Sequence, residues 1–269
     1  MFTFFLKKNF LDHWENLLFL MVFNAILTLL LGAFAFLIYK ASEINQNALP
    51  IAFVLCGGIF MIFVFAGGAN ACKIADFSVP SFSLFFRSLK NSILPGFVFG
   101  VGLSAFLMIV YIAFNFYFRL IAGGNLIGVF FCALIAWFTL IVLMAMQWFI
   151  PLYYLQEDNT LFKCLKKSFI IYFDNASFTF VMLIHNIIVL FFTVFTFGFI
   201  PGINGLTLSC MNALRLRLYK YDWLEEHKDY LDDKDKRSEV PWELLIQEDR
   251  ESLGPFKLSS ILAPWKSWK

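Results

Sequence analysis

LKKSFIIYFDNASF, residues 165–178, is a near copy of LKKNFLDHWENLLF, residues 6–19. A shorter third copy is FFRSLKNSIL at 85–94, which aligns with LFKCLKKSFI at 161–170. Each copy comes before a pair of apolar runs long enough to form helices. The repeat therefore predicts three successive units, each made of an amphipathic helix followed by a transmembrane hairpin.

The amphipathic character is clearest in the third copy. Phe162, Leu165 and Phe169 recur at helical spacing on one side, whereas the lysines fall elsewhere. This pattern is typical of a helix that lies in the membrane interface, where lysines meet anionic lipid. The interfacial basic residues predicted in this way are Lys7, Lys8, Lys90, Lys166 and Lys167.

The composition is that of a membrane protein. Hydrophobic residues make up 60% of the 269-residue chain and charged residues 15%, and the mean hydropathy is +0.75. Soluble globular domains are about 45–50% apolar. The sequence therefore predicts an integral membrane protein surrounded by the lipid bilayer, and we expect no nucleic-acid partner.

The apolar runs set the number of spans, because about 20 apolar residues cross a hydrocarbon core of about 30 Å. A shorter run at 203–218 contains Arg215 and Arg217 near its end, so it is either a short span or a re-entrant helix. We predict that it crosses, which gives an all-α, six-span helical bundle in a transmembrane domain of residues 1–218. The five longer runs are 17–39, 50–71, 95–118, 125–150 and 178–199.

The distribution of Lys and Arg predicts the orientation. The N-terminal segment holds two, the 72–94 loop three and the 151–177 loop three, whereas the alternate connections hold one, one and none. If the sixth run crosses, both the N- and the C-terminus face the cytoplasm.

The motifs of nucleotide-binding and hydrolytic enzymes are absent, including GxxxxGK[ST], GxGxxG, HExxH and GxSxG. The five cysteines show no CxxC or Cys/His clustering of the kind that binds zinc. We therefore expect a protein that is not an enzyme, with no catalytic residue, no cofactor and no metal site.

The five longer runs contain no Asp, Glu, Lys or Arg, so their polar residues are uncharged at neutral pH. His185, beside Asn186, could be a proton relay or a substrate contact, or it could be a neutral imidazole hydrogen-bonded to another helix. We favour the second interpretation, because a single His without a carboxylate is a poor relay. The possible intramembrane polar contacts are Asn24, Asn115, Gln147, His185 and Asn186.

Glu15-Asn16 and Asp174-Asn175 lie where an amphipathic helix meets its span. A carboxylate or an amide there can cap the backbone NH groups of the next helix, so we interpret these pairs as caps and hinges. The middle copy lacks the pair and has Pro95 in its place, and its Gly96/Gly100 spacing favours close helix packing within one subunit.

The tail, residues 219–269, carries 9 Lys/Arg and 12 Asp/Glu and is predicted to be cytoplasmic. It could dock on the membrane, on the protein itself or on a partner, and we favour the first two taken together. The tryptophans predicted to dock are Trp242, Trp265 and Trp268.

Three stretches resemble the YesL-like bacterial membrane proteins, a family of unknown function. They are GANACKIADFSVPSFSLFFRSLKNSILPGFVFG (68–100), PLYYLQEDNTLFKCLKKSFIIYFDNASFTFVMLI (151–184) and FGFIPGINGLTLSCMNALRLRLY (197–219), within a likeness that covers about residues 1–220. The resemblance implies a five- or six-span protein of the bacterial inner membrane, with a partner such as a carbohydrate ABC importer. It implies no catalytic residues.

These observations lead to two hypotheses. The first is a non-enzymatic accessory, scaffold or regulatory membrane protein, linked to carbohydrate ABC uptake. The alternative is a transporter or channel for a neutral solute, lined by the intramembrane polar residues. A lipid-acting enzyme comes third, because the motifs are missing.

Overall fold

The computed structural model describes residues 1–45, 47–157, 159–231 and 239–254. These residues form helices and contain no strand. The helices are α1 (Phe2–Glu15), α2 (Leu17–Ile44), α3 (Ala48–Ala75), α4 (Phe82–Ala122), α5 (Ile127–Met146), α6 (Phe149–Leu155), α7 (Leu161–Asp174), α8 (Ala176–Phe195), α9 (Gly202–Glu226), α10 (Lys228–Leu231), α11 (Trp242–Leu245) and α12 (Gln247–Leu253).

Five helical segments are long and apolar enough to cross a membrane. They correspond to the five longer apolar runs, so the prediction of an all-α, multi-pass membrane protein is confirmed at that level. The five segments are Leu17–Ile44, Ala48–Ala75, Phe82–Ala122, Ile127–Leu155 and Ala176–Phe195.

The predicted sixth span lies in α9, which does not belong to these five apolar segments. Most of its residues from Gly202 to Arg217 are nevertheless buried, because α9 packs against α1, α2, α3, α6 and α8. Contact between the polar side chains of α9 and lipid would cost free energy, and the surrounding helices shield these side chains from lipid. Helix α9 continues to Glu226, past the predicted domain boundary at residue 218, and that boundary stays a prediction.

The first and third repeat units each contain a break between the amphipathic helix and the span. The breaks lie at Asn16, between α1 and α2, and at Asn175, between α7 and α8. Asn16 Nδ2 donates to the carbonyl of Asp12 (2.9 Å), and Asn175 Nδ2 donates to that of Ile171 (3.2 Å). Both asparagines therefore mark the expected hinges, but they cap the end of the preceding helix; the expected N-terminal capping is wrong.

The middle unit has no such break, so the prediction of a separate amphipathic helix there is wrong. Helix α4 runs for 41 residues with Pro95 inside it. Close packing on α3 supports the continuous helix: a Cβ on Gly96 would lie 2.7 Å from the Cα of Ile62, and one on Gly100 would lie 2.6 Å from the carbonyl oxygen of Gly57. The expected intramolecular use of the Gly96/Gly100 pair is confirmed.

The two separate amphipathic helices differ in their surroundings. Helix α1 is packed against α9 and buries Phe5, Lys8 and Asp12, so one of its sides belongs to the bundle interior, and its predicted position at the membrane surface stays a prediction. Helix α7 buries Cys164 and Ser168 on one side and exposes large apolar side chains on another. The interfacial position of α7 stays a prediction.

Residues 239–254 fold back onto the bundle. The Ile246 side chain is fully buried in the main apolar core, together with Phe5 and Trp148. Self-docking, one of the alternatives for the tail, therefore holds for this segment. Trp242 is half-buried within it, and Trp265 and Trp268 lie outside the described residues.

Candidate functional site: a buried polar network

The bundle interior contains an ion pair that the sequence analysis did not predict. Lys8 Nζ lies 2.9 Å from Asp12 Oδ2, and the two residues are only 2% and 5% exposed. Asn212 Nδ2 donates to the same carboxylate oxygen at 2.8 Å. The assignment of Lys8 to the lipid interface is therefore wrong. The i, i+4 spacing of Lys8 and Asp12 was the available signal.

Burial and pairing have opposite effects on these two charges. Burial lowers the pKa of Lys8 and raises the pKa of Asp12, because removal from water disfavours each charged form. Their mutual attraction, together with the hydrogen bond from Asn212, opposes both shifts. Each charge in the pair thus depends on the other.

Asn9 connects this ion pair to the predicted intramembrane histidine. Its Nδ2 lies 3.0 Å from Ser209 Oγ and 3.1 Å from His185 Nε2, and its Oδ1 lies 3.3 Å from Asn212 Nδ2. With the amide nitrogen donating, His185 Nε2 is an acceptor, which requires a neutral imidazole. The contact fits the interpretation of His185 as a histidine bonded to another helix.

Asn186 and Gln147 extend the network between α8 and the α5–α6 junction. Asn186 Nδ2 donates to Gln147 Oε1 at 3.1 Å, and Asn186 Oδ1 lies 3.4 Å from His185 Nδ1. Gln147 Nε2 donates to the carbonyl of Met144 at 2.9 Å. Both amides also line a cavity of about 350 Å³ whose other walls are mainly apolar, including Leu183. His185 is not among the residues that line this cavity.

Asn24 organises the other end of α9. Its Nδ2 donates to the carbonyls of Phe199 (3.0 Å) and Pro201 (2.6 Å), while its Oδ1 accepts from the backbone NH of Asn204 (3.0 Å). Gly202 has φ +72°, and a side chain there would overlap Asn24. Asn24 thus holds the turn that starts the buried helix.

Asn115 is the one predicted polar contact that lies away from this network. Its side chain is exposed and donates to the carbonyl of Tyr111, one turn earlier in the same helix, at 2.8 Å. Asn24, Gln147, His185 and Asn186 contact the interior around α8 and α9, whereas Asn115 satisfies its hydrogen bond locally.

His13 is a second histidine in the interior, and the sequence analysis did not single it out. Its Nδ1 lies 2.6 Å from the carbonyl oxygen of Asn9, and its Nε2 lies 3.0 Å from that of Gly205. Burial lowers the pKa of His13. An imidazole donates from both nitrogens only when it carries its positive charge, so the two carbonyl acceptors favour the protonated form of His13. Burial favours the neutral form, and the two effects on the pKa therefore oppose each other.

Arg215 joins α9 to two other parts of the chain. The guanidinium donates to Asp76 Oδ1 (2.7 Å) and to the Ala75 carbonyl (2.8 Å), where α3 ends. Its other terminal nitrogen lies 3.1 Å from Asp249 Oδ1 in the docked tail segment. Arg215, near the end of the predicted sixth run, thus fastens the tail to the bundle.

The second arginine in this region fastens the hinge of the third unit. Arg217 lies with its guanidinium carbon 3.8 Å from the centroid of the Phe178 ring and 5.3 Å from that of Trp242. Its Nη1 donates to Asn175 Oδ1 at 3.3 Å. Trp242, predicted to dock on the membrane or a partner, is thus placed beside a cation of its own bundle.

The remaining predicted basic residues have different environments. Lys7 Nζ donates to the carbonyl of Gly254 at 3.1 Å. Lys167 Nζ donates to Gln156 Oε1 (2.8 Å) and Asn159 Oδ1 (2.9 Å). Lys90 and Lys166 are exposed, as an interfacial role requires.

The described residues contain no group of three or more His, Cys, Asp and Glu side chains that could hold a metal ion. Hydrogen bonds of the buried polar network connect α1, α8 and α9, and the charged side chains in the network are paired with each other. Comparison with protein-family models, with curated proteins and with solved structures gives no match to this chain. The YesL-like resemblance therefore stays a prediction.

Proposed function

We propose that this chain is a non-enzymatic accessory or scaffold protein of the cell membrane. The observation that supports this most directly is the docked tail segment, residues 239–254. Ile246 and Asp249 fix the segment to the bundle, whereas Leu244 on the same segment is 65% exposed. Leu244 therefore offers exposed apolar surface on the docked tail segment, and burial of such surface favours association with another protein.

The proposed orientation places the docked tail segment in the cytoplasm. The short segments rich in Lys and Arg support it, and α9 would be the sixth crossing, shielded by its neighbours. A helix of 25 residues is about 38 Å long at 1.5 Å per residue, which exceeds the hydrocarbon core. Its polar residues would lie in the interior and its end would carry the tail to the cytoplasmic side.

The proposed partner is a carbohydrate ABC importer, on the basis of the sequence resemblance. Cross-linking in native membranes followed by purification of the full chain should recover importer subunits. Leu244→Glu should reduce that recovery at least fivefold, because it places a charge in the contact while leaving Ile246 in the core. Glu248→Ala, at an exposed position of the same segment, is the matched control. Equal recovery with both variants would refute a contact through Leu244.

A neutral-solute transporter is the second candidate, favoured by the position of Gln147 and Asn186 on the 350 Å³ cavity. Purified protein in liposomes would then move a labelled solute such as a neutral sugar. Asn186→Leu should abolish this uptake, whereas Asn115→Leu should not, because Asn115 lies outside the network. Uptake that is absent from the unmodified protein for each solute tested counts against this candidate.

A further inference from the structure

A second cavity of about 510 Å³ lies between α4, α5 and α7. Its volume is in the range of ligand sites, about 300–1,000 Å³. The lining side chains are apolar, and Gly102 leaves part of the α4 wall open. The lining includes Val98, Phe99 and Phe106 of α4, Val142 of α5, and Phe162 and Leu165 of α7.

The position of this cavity selects an apolar occupant that comes from the membrane. Two of its walls, α4 and α5, belong to the candidate membrane spans. The third wall is α7, whose Phe162 is 75% exposed on the cavity side. Because no charged or hydrogen-bonding side chain lines the space, water and polar solutes would gain little there. A hydrocarbon chain fits both the lining and the surroundings.

Exposed cations lie on two of the helices that form the cavity walls. Lys166 is exposed and follows the lining residue Leu165 on α7. On α4, Arg87 is exposed and precedes Val98 by three helical turns, which corresponds to about 16 Å along the same face. Lys90 is exposed one turn further along. Exposed positive charge on the helices that wall an apolar groove is complementary to a lipid phosphate.

We propose that this cavity holds one acyl chain of an anionic phospholipid whose headgroup lies near Arg87, Lys90 and Lys166. The chain lies against Gly102 and the aromatic side chains of α4 and α7. This site is separate from the proposed partner contact, and neither depends on the other.

A substitution that fills the cavity tests the acyl-chain part of the proposal. A Cβ added at Gly102 would meet no atom within 4 Å, so Gly102→Leu enters open space. Gly32→Leu in α2 is the matched control, because a Cβ at Gly32 also meets nothing within 4 Å and Gly32 does not line the cavity. Native mass spectrometry of the full chain, titrated with phosphatidylglycerol, should show at least tenfold weaker retention for Gly102→Leu. Equal retention by the two variants would overturn the site.

The headgroup part is tested by charge. Phosphatidylglycerol should be retained several-fold better than phosphatidylcholine with the same acyl chains. Lys166→Gln should reduce that preference, and Lys73→Gln, at an exposed lysine on the end of α3, should leave it unchanged. Equal retention of the two lipids by the unmodified protein would overturn the anionic headgroup assignment.

A measurement on the unmodified protein guards against variants that fold poorly. Phosphatidylglycerol with a photoactivatable group in its acyl chain should label peptides from the three cavity walls. Labelling confined to other membrane-facing segments, such as those of α2, would overturn the proposal. The wall segments expected to carry the label are 98–106, 142–149 and 161–169.

Discussion

The ammonium group of Lys8 lies 3.7 Å from the centroid of the Phe77 ring, and Phe77 has a backbone φ of 53°. A left-handed conformation is uncommon for a residue with a side chain and costs about 1–2 kcal/mol. It arises from the way α3 ends, where the backbone NH of Ser78 donates to the carbonyl of Lys73 at 2.8 Å. In this type of helix end the residue before the donor is left-handed, and glycine usually occupies that position. The ring in return covers the buried ammonium with its π face.

Replacement of Phe77 separates the backbone cost from the benefit of the ring. Phe77→Ala should destabilise the protein, because it loses the contact with Lys8 and keeps the left-handed strain. Phe77→Gly loses the same contact but relieves the strain, so it should be about 1 kcal/mol more stable than Phe77→Ala. Thermal unfolding in detergent measures the difference. If the alanine variant is the more stable of the two, the strain assignment is wrong.

The buried ion pair should show strong coupling between its two members. Lys8→Met or Asp12→Asn alone leaves one charge buried without its partner, and the expected loss is about 3–5 kcal/mol. The double variant removes both charges and should recover most of that loss. Chemical unfolding of the four proteins in detergent gives the coupling energy. Additive losses would show that the two charges act independently.

The pH dependence of stability should contain a contribution from His13. Burial lowers its pKa from 6.5, so below about pH 6.5 the unfolded chain binds a proton that the folded chain binds less readily. The free energy of unfolding from this group therefore falls as the pH is lowered, by at most about 1.4 kcal/mol per pH unit. His13→Gln should remove this contribution.

The comparison between wild type and His13→Gln is needed because neighbouring carboxyl groups titrate in the opposite sense. Burial raises the pKa of Asp12 and of Glu15, so their contributions favour the folded state at low pH and decline as the pH rises. These contributions are largely shared by both proteins. Identical pH profiles between pH 7 and 5 would contradict a lowered pKa for His13.

Docking of the tail segment on the bundle should depend mainly on the side chain of Ile246. Ile246 is fully buried in the main core, so Ile246→Ala should weaken docking by about 2–4 kcal/mol. Leu244→Ala, at a position 65% exposed, should change it by less than about 0.5 kcal/mol. Hydrogen exchange of the amides in 242–253 reports the local opening free energy. Comparable exchange in the two variants would mean that Ile246 does not hold the tail.

The sequence determined the features that depend on local chemistry. A run of about 20 apolar residues forms a span whatever its neighbours are, and the five longer runs were found in this way. The hinges at Asn16 and Asn175 were also predicted, because an acid-Asn pair stands where each of these amphipathic sequences meets its apolar run. The polar residues Asn24, Gln147, His185 and Asn186 stood out against their apolar surroundings, although their partners did not.

Tertiary structure decided which polar groups became interior. Asp12 and Asn212 bond at 2.8 Å although they are 200 positions apart in the chain, and no local pattern specifies such a contact. The same holds for the continuous helix past Pro95, which packing on α3 supports. A polar helix such as α9 is tolerated inside the bundle only where other helices supply partners for its side chains. The lengths of the apolar runs therefore determined the membrane spans, and long-range hydrogen bonding determined the buried centre.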